Sequence, residues 1–272
     1  MGRRRALVTG ASSGIGAAAA RLLAAEGYRL ALLARRPGPL AELAGSLPGE
    51  GHLQLSCDLC DPAAIRAAAA ELACTFEGLD LVVCNAGIGY RARVEELDDE
   101  LLSRVFETNA IAPLRLAREL LPLLRRGDAP VWVNVSSVVG RRGIPGQVAY
   151  SATKAALGSV GEALRLEWSD EGPGGPGSGA GIAVCTLEPA LTATGFFEAQ
   201  PNPGALPDPD LADAAGPEDV AAEILALDRS PRPTRSLRWK WWLLGALTPI
   251  FPRLSDRMLA KRLGGGWRAP RR

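Results

Sequence analysis

The chain has 272 residues, 47% of them hydrophobic and 22% charged, with 31 basic and 30 acidic side chains and a formal net charge of +1. This composition is typical of one large soluble domain with a substantial core, and the balanced charge gives no general reason to bind nucleic acid. Five scattered cysteines predict free thiols in a reducing, cytoplasmic compartment, and a single histidine, His52, predicts no metal site. The sequence has no run of about 18 apolar residues, so no membrane-spanning helix is predicted.

Short apolar runs alternate with Ala- and Leu-rich helical runs from the start of the chain. Buried strands are predicted over 5–10, 28–34, 52–58, 79–87, 130–137 and 181–189. Helices are predicted over 14–26, 39–47, 62–76, 98–125 and 147–168. This alternation predicts a single doubly wound Rossmann-type α/β domain, with a parallel sheet of about seven strands and helices on both faces. Ligands on such folds bind beyond the carboxyl ends of the strands.

The segment TGASSGIG, residues 9–16, joins the first strand to the first helix. Its glycines, Gly10, Gly14 and Gly16, let the backbone approach a pyrophosphate, and the amino end of the helix supplies N–H donors. The position of this loop at the start of a βαβ chain predicts a dinucleotide site. The alternative is the nucleophile elbow of a hydrolase with Ser12 as the nucleophile, for which only His52 is available as the base.

The second predicted strand ends in Ala34, Arg35 and Arg36. An NAD-preferring site usually has an acidic residue here for the ribose 2′-hydroxyl, whereas guanidinium groups pair well with a phosphate. We therefore predict NADP(H) in preference to NAD(H), with a solvated basic turn as the alternative. Asp58, after the third strand, is expected either to reach the adenine or to cap a helix.

Further motifs follow in chain order, and together they resemble one family. They are N-A-G at 85–87, Asn109 within ETNAIAPLRLA, NVSS at 134–137, and Y-x-x-x-K from Tyr150 to Lys154. With TGASSGIG, and at these spacings, the sequence from about residue 7 to residue 194 resembles the short-chain dehydrogenase/reductase family. Each motif is unspecific alone, and the order and spacing carry the resemblance.

The resemblance implies a catalytic set of four residues. Asn109 matches the asparagine that organises a water relay, and Ser137 matches the serine that polarises the substrate, with its neighbour Ser136 ranked second. Tyr150 matches the general acid/base and Lys154 its partner. The predicted cofactor contacts are Gly10, Ser12, Ser13, Gly14, Ile15, Gly16, Arg35, Arg36, Asp58, Leu59, Asn85, Ala86, Gly87, Tyr150, Lys154, Pro189 and Thr194.

Two positions depart from the family pattern without removing a catalytic group. Cys84 replaces the first asparagine of N-N-A-G, which we interpret as a packing change. Ala190 follows Pro189 where many relatives have glycine, and alanine lacks the freedom of glycine at positive φ. The loop toward Thr194, which matches the threonine that contacts the nicotinamide carboxamide, is therefore expected to differ slightly.

The spacing of Tyr150 and Lys154 is compatible with the implied chemistry, because residues four apart lie on one face of a helix. A nearby ammonium and an oxidised nicotinamide would each favour the tyrosinate, so we expect a lowered pKa for Tyr150. A pKa near the working pH suits general acid/base catalysis, and the Ser137 hydroxyl is expected to donate to the carbonyl oxygen. The alternative is a chance Tyr/Lys pair on an exposed helix.

The carboxyl-terminal part is predicted to contain a helix over 216–227, a seventh strand around 236–239 and an apolar stretch over 241–251. Eleven residues are too few to span a bilayer. The stretch is interpreted as a pocket wall or subunit interface, as a peripheral membrane surface with basic residues facing anionic lipid, or as core. Residues 1–235, with a lid at about 192–215, are predicted as the catalytic domain, and 236–272 as an extension packed on it.

These observations predict an NADPH-dependent enzyme that interconverts a carbonyl compound and an alcohol. Phe196 and Phe197 in the lid indicate a lipophilic ketone, aldehyde or secondary alcohol. The resemblance also implies a homodimer or homotetramer. The alternative function is a catalytically silent NADP-binding sensor, against which the intact four-residue set argues.

Overall fold

The apolar runs form strands whose side chains are buried on both faces of one sheet. The structure, a computed structural model, describes residues 3–173, 177, 180–208, 210–212 and 214–263. The described strands are β1 (Arg5–Thr9), β2 (Arg29–Ala34), β3 (Leu53–Ser56), β4 (Leu81–Cys84), β5 (Val131–Val135), β6 (Ala183–Glu188) and β7 (Thr234–Ser236). They pair in parallel in the order β3-β2-β1-β4-β5-β6-β7. The predicted doubly wound parallel sheet is confirmed.

Helices alternate with the strands, and side-chain caps begin two of them. Asp61 accepts a hydrogen bond from the Ala63 N–H at 2.8 Å, and Asp98 accepts one from the Leu101 N–H at 2.9 Å. The described helices are α1 (Gly14–Ala25), α2 (Pro37–Ser46), α3 (Pro62–Thr75), α4 (Asp99–Phe106), α5 (Ala112–Leu124), α6 (Val148–Glu167), α7 (Phe196–Ala199), α8 (Pro217–Arg229), α9 (Trp239–Leu247) and α10 (Pro252–Leu263). None of these described helices is long and apolar enough to cross a bilayer.

Two elements differ from the sequence prediction. The single helix predicted over 98–125 is divided into α4 and α5 by a π-helical turn, Glu107–Ile111. Such a turn holds an extra residue, and it lies where Asn109 is fully buried. The seventh strand lies at Thr234–Ser236 rather than around 236–239, because Trp239 already begins α9.

Alternate residues of each strand face two apolar layers. Ala6 and Val8 of β1 pack with α1, α2 and α8, whereas Leu7 packs with α3, α5 and α6. Trp132 of β5 is fully buried in the second layer and meets the Trp168 ring edge-on, with 5.5 Å between ring centroids. The chain reverses its direction of winding between β1 and β4, so a crevice lies beyond the carboxyl ends of these strands.

The Asp80 carboxylate connects three backbone segments at the opposite edge of the sheet. It is 1% exposed and accepts hydrogen bonds from the Arg5 N–H and the Asp128 N–H, each at 2.6 Å. The Arg5 guanidinium also donates to it at 3.2 Å. A carboxylate this deeply buried is tolerated because several donors satisfy it.

We predict that Asp80→Ala lowers the free energy of unfolding by about 2–4 kcal/mol, because two buried N–H groups and a guanidinium lose their acceptor. Urea denaturation measures this change. Asp128→Ala is the matched control, since it removes an exposed carboxylate and keeps the backbone N–H; it should change stability by less than about 0.5 kcal/mol. Equal losses in the two variants would contradict the assigned role of Asp80.

Candidate active site

A cleft of about 1030 Å³ lies beyond the carboxyl ends of the strands. It extends from the turns after β2 and β3, past the glycine-rich loop, to α6 and the lid. The predicted site residues that line it are Gly10, Ser12, Ser13, Gly14, Ile15, Arg35, Arg36, Asp58, Leu59, Asn85, Ala86, Gly87, Ser137, Tyr150, Lys154, Pro189 and Thr194. Gly16 and Asn109 do not line the cleft, and both lie behind it.

The glycine-rich loop leaves no space for side chains. Gly10 has φ +65° and Gly14 has φ +53°, conformations that L side chains rarely adopt. A Cβ on Gly10 would lie 2.9 Å from the Ala86 Cα. A Cβ on Gly16 would lie 2.2 Å from the Gly10 carbonyl oxygen, so this glycine allows close packing of α1 on the loop.

Thr9 and Asn85 hold the loop against the turn after β4. The Thr9 hydroxyl accepts hydrogen bonds from the N–H groups of Asn85 and Ala86 at 3.0 and 2.9 Å, and it donates to the Val83 carbonyl at 3.2 Å. The Asn85 amide donates to the Thr9 carbonyl at 2.9 Å. The conformation of the glycine-rich loop is therefore fixed by residues far away in the sequence.

The amino end of α1 fits an anion such as a pyrophosphate. Among the described residues, no side chain caps this helix, although Ser13 occupies the cap position, and its first turn has no acidic residue. The N–H groups and the positive end of the helix dipole thus face the cleft without a protein carboxylate to neutralise them. The residues present fit a dinucleotide.

Arg35 and Arg36 are exposed and line the cleft beside Asp58. The described contacts of these two arginines include no ion pair. Asp58 accepts a hydrogen bond from the Cys60 N–H at 3.0 Å, which lowers the pKa of its carboxyl, and it pairs with Arg104 at 3.2 Å. Asp58 therefore closes a turn at the cleft wall, while Asp61 caps the following helix.

Lys154 is 4% exposed and lies under the cleft floor. Its ammonium donates to the Val135 carbonyl at 2.8 Å and lies 5.7 Å from the centroid of the Tyr150 ring. The Ser137 hydroxyl accepts from the Val139 N–H at 3.3 Å, and it is close enough to Tyr150 to act on the pKa of that hydroxyl. The Ser136 hydroxyl donates instead to the Lys154 backbone carbonyl at 2.8 Å, so its proton is already used in a hydrogen bond within the protein.

The pKa of Tyr150 differs from the sequence expectation. Burial raises the pKa of the hydroxyl, and the hydrogen bond from Ser137 opposes this only in part. Burial also lowers the pKa of Lys154 to about 8. The expected depression of the tyrosine pKa is thus not a property of the protein groups alone, because desolvation outweighs the interaction with Ser137 that favours a tyrosinate.

Asn109 positions two other segments from behind the cleft. Its side chain accepts from the Ile88 N–H at 2.8 Å and donates to the Ile88 carbonyl at 2.9 Å. The same amide nitrogen donates to Thr153 at 3.1 Å, one residue before Lys154. The π-helical turn thereby connects the loop after β4 to α6.

Arg91 is a cleft residue that the sequence reasoning did not identify. Its side chain is buried, with 4% of the residue exposed. The guanidinium pairs with Asp208 at 2.6 Å and donates to the Leu206 carbonyl at 2.8 Å. Its backbone N–H donates to the Pro201 carbonyl at 3.0 Å. Arg91 therefore holds the predicted lid over the cleft. No local pattern distinguishes it from an exposed arginine, because its partners lie more than a hundred residues later.

The carboxyl-terminal helices also reach the cleft. The Arg141 guanidinium pairs with Glu188 at 2.7 Å. Gly245 of α9 packs against the aliphatic part of the Arg141 side chain, since a Cβ on Gly245 would lie 2.6 Å from the Arg141 Cβ. Arg142 pairs with Asp256 of α10 at 2.5 Å. Arg262 and Leu263 line the cleft itself. Part of this segment is therefore a pocket wall.

The structure contradicts the hydrolase alternative. His52 Nδ1 accepts from the Leu30 N–H at 3.1 Å, which leaves Nε2 to donate to the Pro48 carbonyl at 3.0 Å. His52 precedes β3, at the amino edge of the parallel sheet, whereas Ser12 lines the cleft at the carboxyl edge.

The cysteines and the acidic residues indicate no further chemistry at the site. Burial raises the pKa of Cys84 and raises that of Cys57 to about 11, so both thiols stay protonated at neutral pH. Within the part of the chain that the structure describes, no group of three His, Cys, Asp or Glu side chains could hold a metal ion.

Comparisons with known proteins agree with this geometry. A family model described as short chain dehydrogenase matches residues 4–203. An uncharacterised oxidoreductase of Mycobacterium tuberculosis is 34% identical over 255 residues, which cover 92% of this chain and 94% of that protein.

Two solved structures have the same fold with a nicotinamide cofactor bound. A short-chain dehydrogenase from Sphingobium yanoikuyae in complex with NADPH has a TM-score of 0.73 and 27% identity, covering 92% of this chain and 95% of that one. A 3-ketoacyl-(acyl-carrier-protein) reductase from Brucella melitensis complexed with NADH has a TM-score of 0.73 and 26% identity, covering 86% and 96%.

We predict that Lys154→Met stabilises the fold at neutral pH. The pKa of Lys154 is about 8 in the folded protein, against an ordinary value of 10.5, so the unfolded chain binds this proton more strongly. The resulting penalty is full below about pH 8 and is lost as the pH rises to 10.5. The variant should therefore gain about 1–2 kcal/mol of unfolding free energy at pH 7, after losing the hydrogen bond to Val135.

Denaturation at a series of pH values checks this prediction. The gain should shrink between pH 8 and 10.5. Lys261→Met serves as the control, because Lys261 is exposed and its replacement should change stability by less than about 0.5 kcal/mol. A gain that does not depend on pH would show that the stability difference between lysine and methionine at position 154 comes from packing and not from the buried charge.

Proposed function

Because this chain belongs to the short-chain dehydrogenase/reductase family of NAD(P)-dependent oxidoreductases, we propose that it is an NADPH-dependent reductase that interconverts a carbonyl compound and an alcohol. One observation carries this proposal. Tyr150, Ser137 and Lys154 line the same cleft as the glycine-rich loop and both arginines. A proton donor and an anion site in one cleft fit hydride chemistry better than any other reaction the residues support.

The residues that would hold the cofactor surround the cleft from β2 to β6. The amino end of α1 would bind the pyrophosphate, and Leu59 with Asp58 would border the adenine. Pro189 and Thr194 would border the nicotinamide, and the Lys154 ammonium would reach the ribose hydroxyls. NADPH supplies a hydride when it is bound.

The chain's own groups supply and hold the proton. Tyr150 donates its hydroxyl proton to the substrate oxygen, and the Ser137 hydroxyl polarises the carbonyl. The raised pKa of Tyr150 keeps this hydroxyl protonated at neutral pH, so the proton is in place before the carbonyl is reduced. Lys154 lies below the tyrosine ring, where its positive charge stabilises the tyrosinate that remains. Asn109 acts through Ile88 and Thr153 as a positioning residue.

The NADPH preference is supported by charge at the turn after β2. Two exposed guanidinium groups, Arg35 and Arg36, border the cleft, and the end of β2 has no carboxylate for a ribose 2′-hydroxyl. The neighbouring structures include an NADPH complex and an NADH complex, so the argument depends on these arginines and not on the fold.

A lipophilic substrate is supported by the walls near Tyr150. Phe196 of the lid lies 5.6 Å from the Tyr150 ring, centroid to centroid, and Phe197 packs edge-on against Phe196. Val138 and Ile144 line the facing wall. The Brucella neighbour is named a 3-ketoacyl-(acyl-carrier-protein) reductase, a name that also refers to a keto substrate.

We retain three broader predictions as part of this proposal. Residues 1–235 form the catalytic domain, with a lid at about 192–215 whose base is closed by the bridge between Thr192 and Ala215. Residues 236–272 are proposed as an extension on it, of which 264–272 lie outside the residues that the structure describes. The enzyme is cytoplasmic and assembles as a homodimer or homotetramer.

We predict that Tyr150→Phe lowers kcat for carbonyl reduction by about 10²–10⁴-fold, because it removes the proton donor and little else. NADPH oxidation with a panel of medium-chain ketones and aromatic aldehydes measures turnover, and a fluorescence titration measures cofactor binding. The Kd for NADPH should change by less than about threefold. Tyr28→Phe makes the same chemical change outside the cleft and should keep full turnover. Retained turnover in Tyr150→Phe would refute the assigned mechanism.

We predict that the double variant Arg35→Ala, Arg36→Ala raises the Kd for NADPH by about 10–100-fold, because charge-assisted hydrogen bonds to the 2′-phosphate are lost. The Kd for NADH should change by less than about threefold. Arg66→Ala removes an exposed arginine of α3 and should affect neither cofactor. Wild-type protein that binds NADH as tightly as NADPH would contradict the cofactor assignment.

A further inference from the structure

The near-zero net charge of the chain is the sum of two segments whose net charges have opposite sign. Residues 237–272 contain nine basic side chains and one acidic side chain, whereas residues 1–236 contain 22 basic and 29 acidic side chains. The last 36 residues therefore carry a net charge of +8 and the rest of the chain −7. Such asymmetry indicates that the carboxyl-terminal segment binds something negatively charged.

The structure fixes which side of this segment faces the protein. Ser255 and Leu259, four residues apart on α10, are buried. Arg142 donates to the Ser255 hydroxyl at 3.1 Å and pairs with Asp256, so α10 is held by this face. The single acidic side chain of the segment is thus neutralised within the protein, and the opposite face is left to solvent.

The exposed part of this segment includes a row of apolar side chains on both sides of the turn between α9 and α10. Ile250, Phe251, Leu254 and Met258 are each between 54% and 65% exposed. Leu243 and Leu247, four residues apart on α9, continue this row at 40% and 39% exposure. Exposed apolar surface of this extent marks an interaction site.

Basic side chains border the apolar row. Arg253, Arg257 and Lys261 recur every four residues on α10 and are exposed. Within the described residues, neither Arg253 nor Arg257 forms a salt bridge. An apolar row with a basic border is typical of helices that lie in the plane of a membrane interface.

We propose that the outward face of α9 and α10 binds peripherally to a bilayer that contains anionic lipid. The apolar row enters the boundary between head groups and acyl chains, and the basic border pairs with the anionic head groups. A protein partner or a second copy of this chain would also cover apolar surface. The charge favours the bilayer, because a second copy would bring its own basic border against this one.

This surface adjoins the cleft entrance. Arg262 and Leu263, at the end of α10, line the cleft. A lipophilic substrate would then pass from the bilayer into the cleft, a consequence that rests on the proposed function. Membrane binding itself does not, and its test requires neither cofactor nor substrate.

Vesicle flotation with the full-length protein tests the proposal. Protein should float with vesicles of phosphatidylcholine containing about 30% phosphatidylglycerol, and remain in the aqueous fraction with pure phosphatidylcholine. The double variant Arg253→Glu, Arg257→Glu should bind the anionic vesicles on the order of 100-fold more weakly. Leu254→Glu with Met258→Glu should weaken binding at least about tenfold.

Matched controls separate a surface effect from a change of total charge or hydropathy. Arg21→Glu with Arg66→Glu changes the charge equally on exposed positions of α1 and α3, and Leu166→Glu alters an apolar side chain that is 77% exposed on α6. These variants should float like the wild type. All variants should keep the wild-type Tm and circular dichroism spectrum, since the positions are exposed.

Three results would overturn the proposal. The first is wild-type protein that stays in the aqueous fraction with both kinds of vesicle. The second is equal binding to neutral and anionic vesicles, which would remove the anionic-lipid assignment. The third is loss of a dimer in analytical ultracentrifugation for Leu254→Glu, Met258→Glu with unchanged flotation, which would identify the face as a subunit interface.

Discussion

The buried ammonium of Lys154 imposes the constraint around which the site is arranged. A desolvated charge must be hydrogen-bonded, and the Val135 carbonyl at the end of β5 satisfies it at 2.8 Å. The neighbouring Ser136 hydroxyl binds the Lys154 carbonyl, so the end of β5 contacts the same residue twice. These contacts place Ser137, the next residue, beside Tyr150, which lies one helical turn before Lys154. The two hydroxyls to which we assign the reaction are thus positioned by groups that have no proposed part in it.

The same constraint explains why small residues surround the lysine. A Cβ on Gly87 would lie 3.5 Å from the Lys154 ammonium and 3.3 Å from the Asn109 amide oxygen. A Cβ on Gly140 would lie 2.8 Å from the Lys154 carbonyl oxygen. The loop at Gly140 therefore approaches α6 too closely for a side chain, and the loop at Gly87 leaves little space beside Asn109 and Lys154. The buried charge destabilises the fold locally, and the tight packing fixes the geometry that chemistry needs.

The carboxyl-terminal extension connects this interior to the surface. Its anchors, Arg141 and Arg142, follow Ser137 by only a few residues, so contacts that hold α9 and α10 also hold the loop beside the reacting hydroxyls. Opposite net charges on the catalytic domain and the extension favour their association within one chain. Among the described residues, Arg253, Arg257 and Lys261 place positive charge beside the apolar row.

Sequence alone determined the order of elements, the glycine-rich loop and the residues that we propose for the reaction. These features are local, because strand runs, a glycine-rich turn and an i, i+4 pair are each specified by residues close together in the chain. Tertiary structure decided what depends on burial and on distant partners. Arg91 contacts the lid through its salt bridge with Asp208, and the Ser136 hydroxyl donates to the Lys154 backbone carbonyl. The direction of the Tyr150 pKa likewise follows from desolvation, which no spacing of residues reveals.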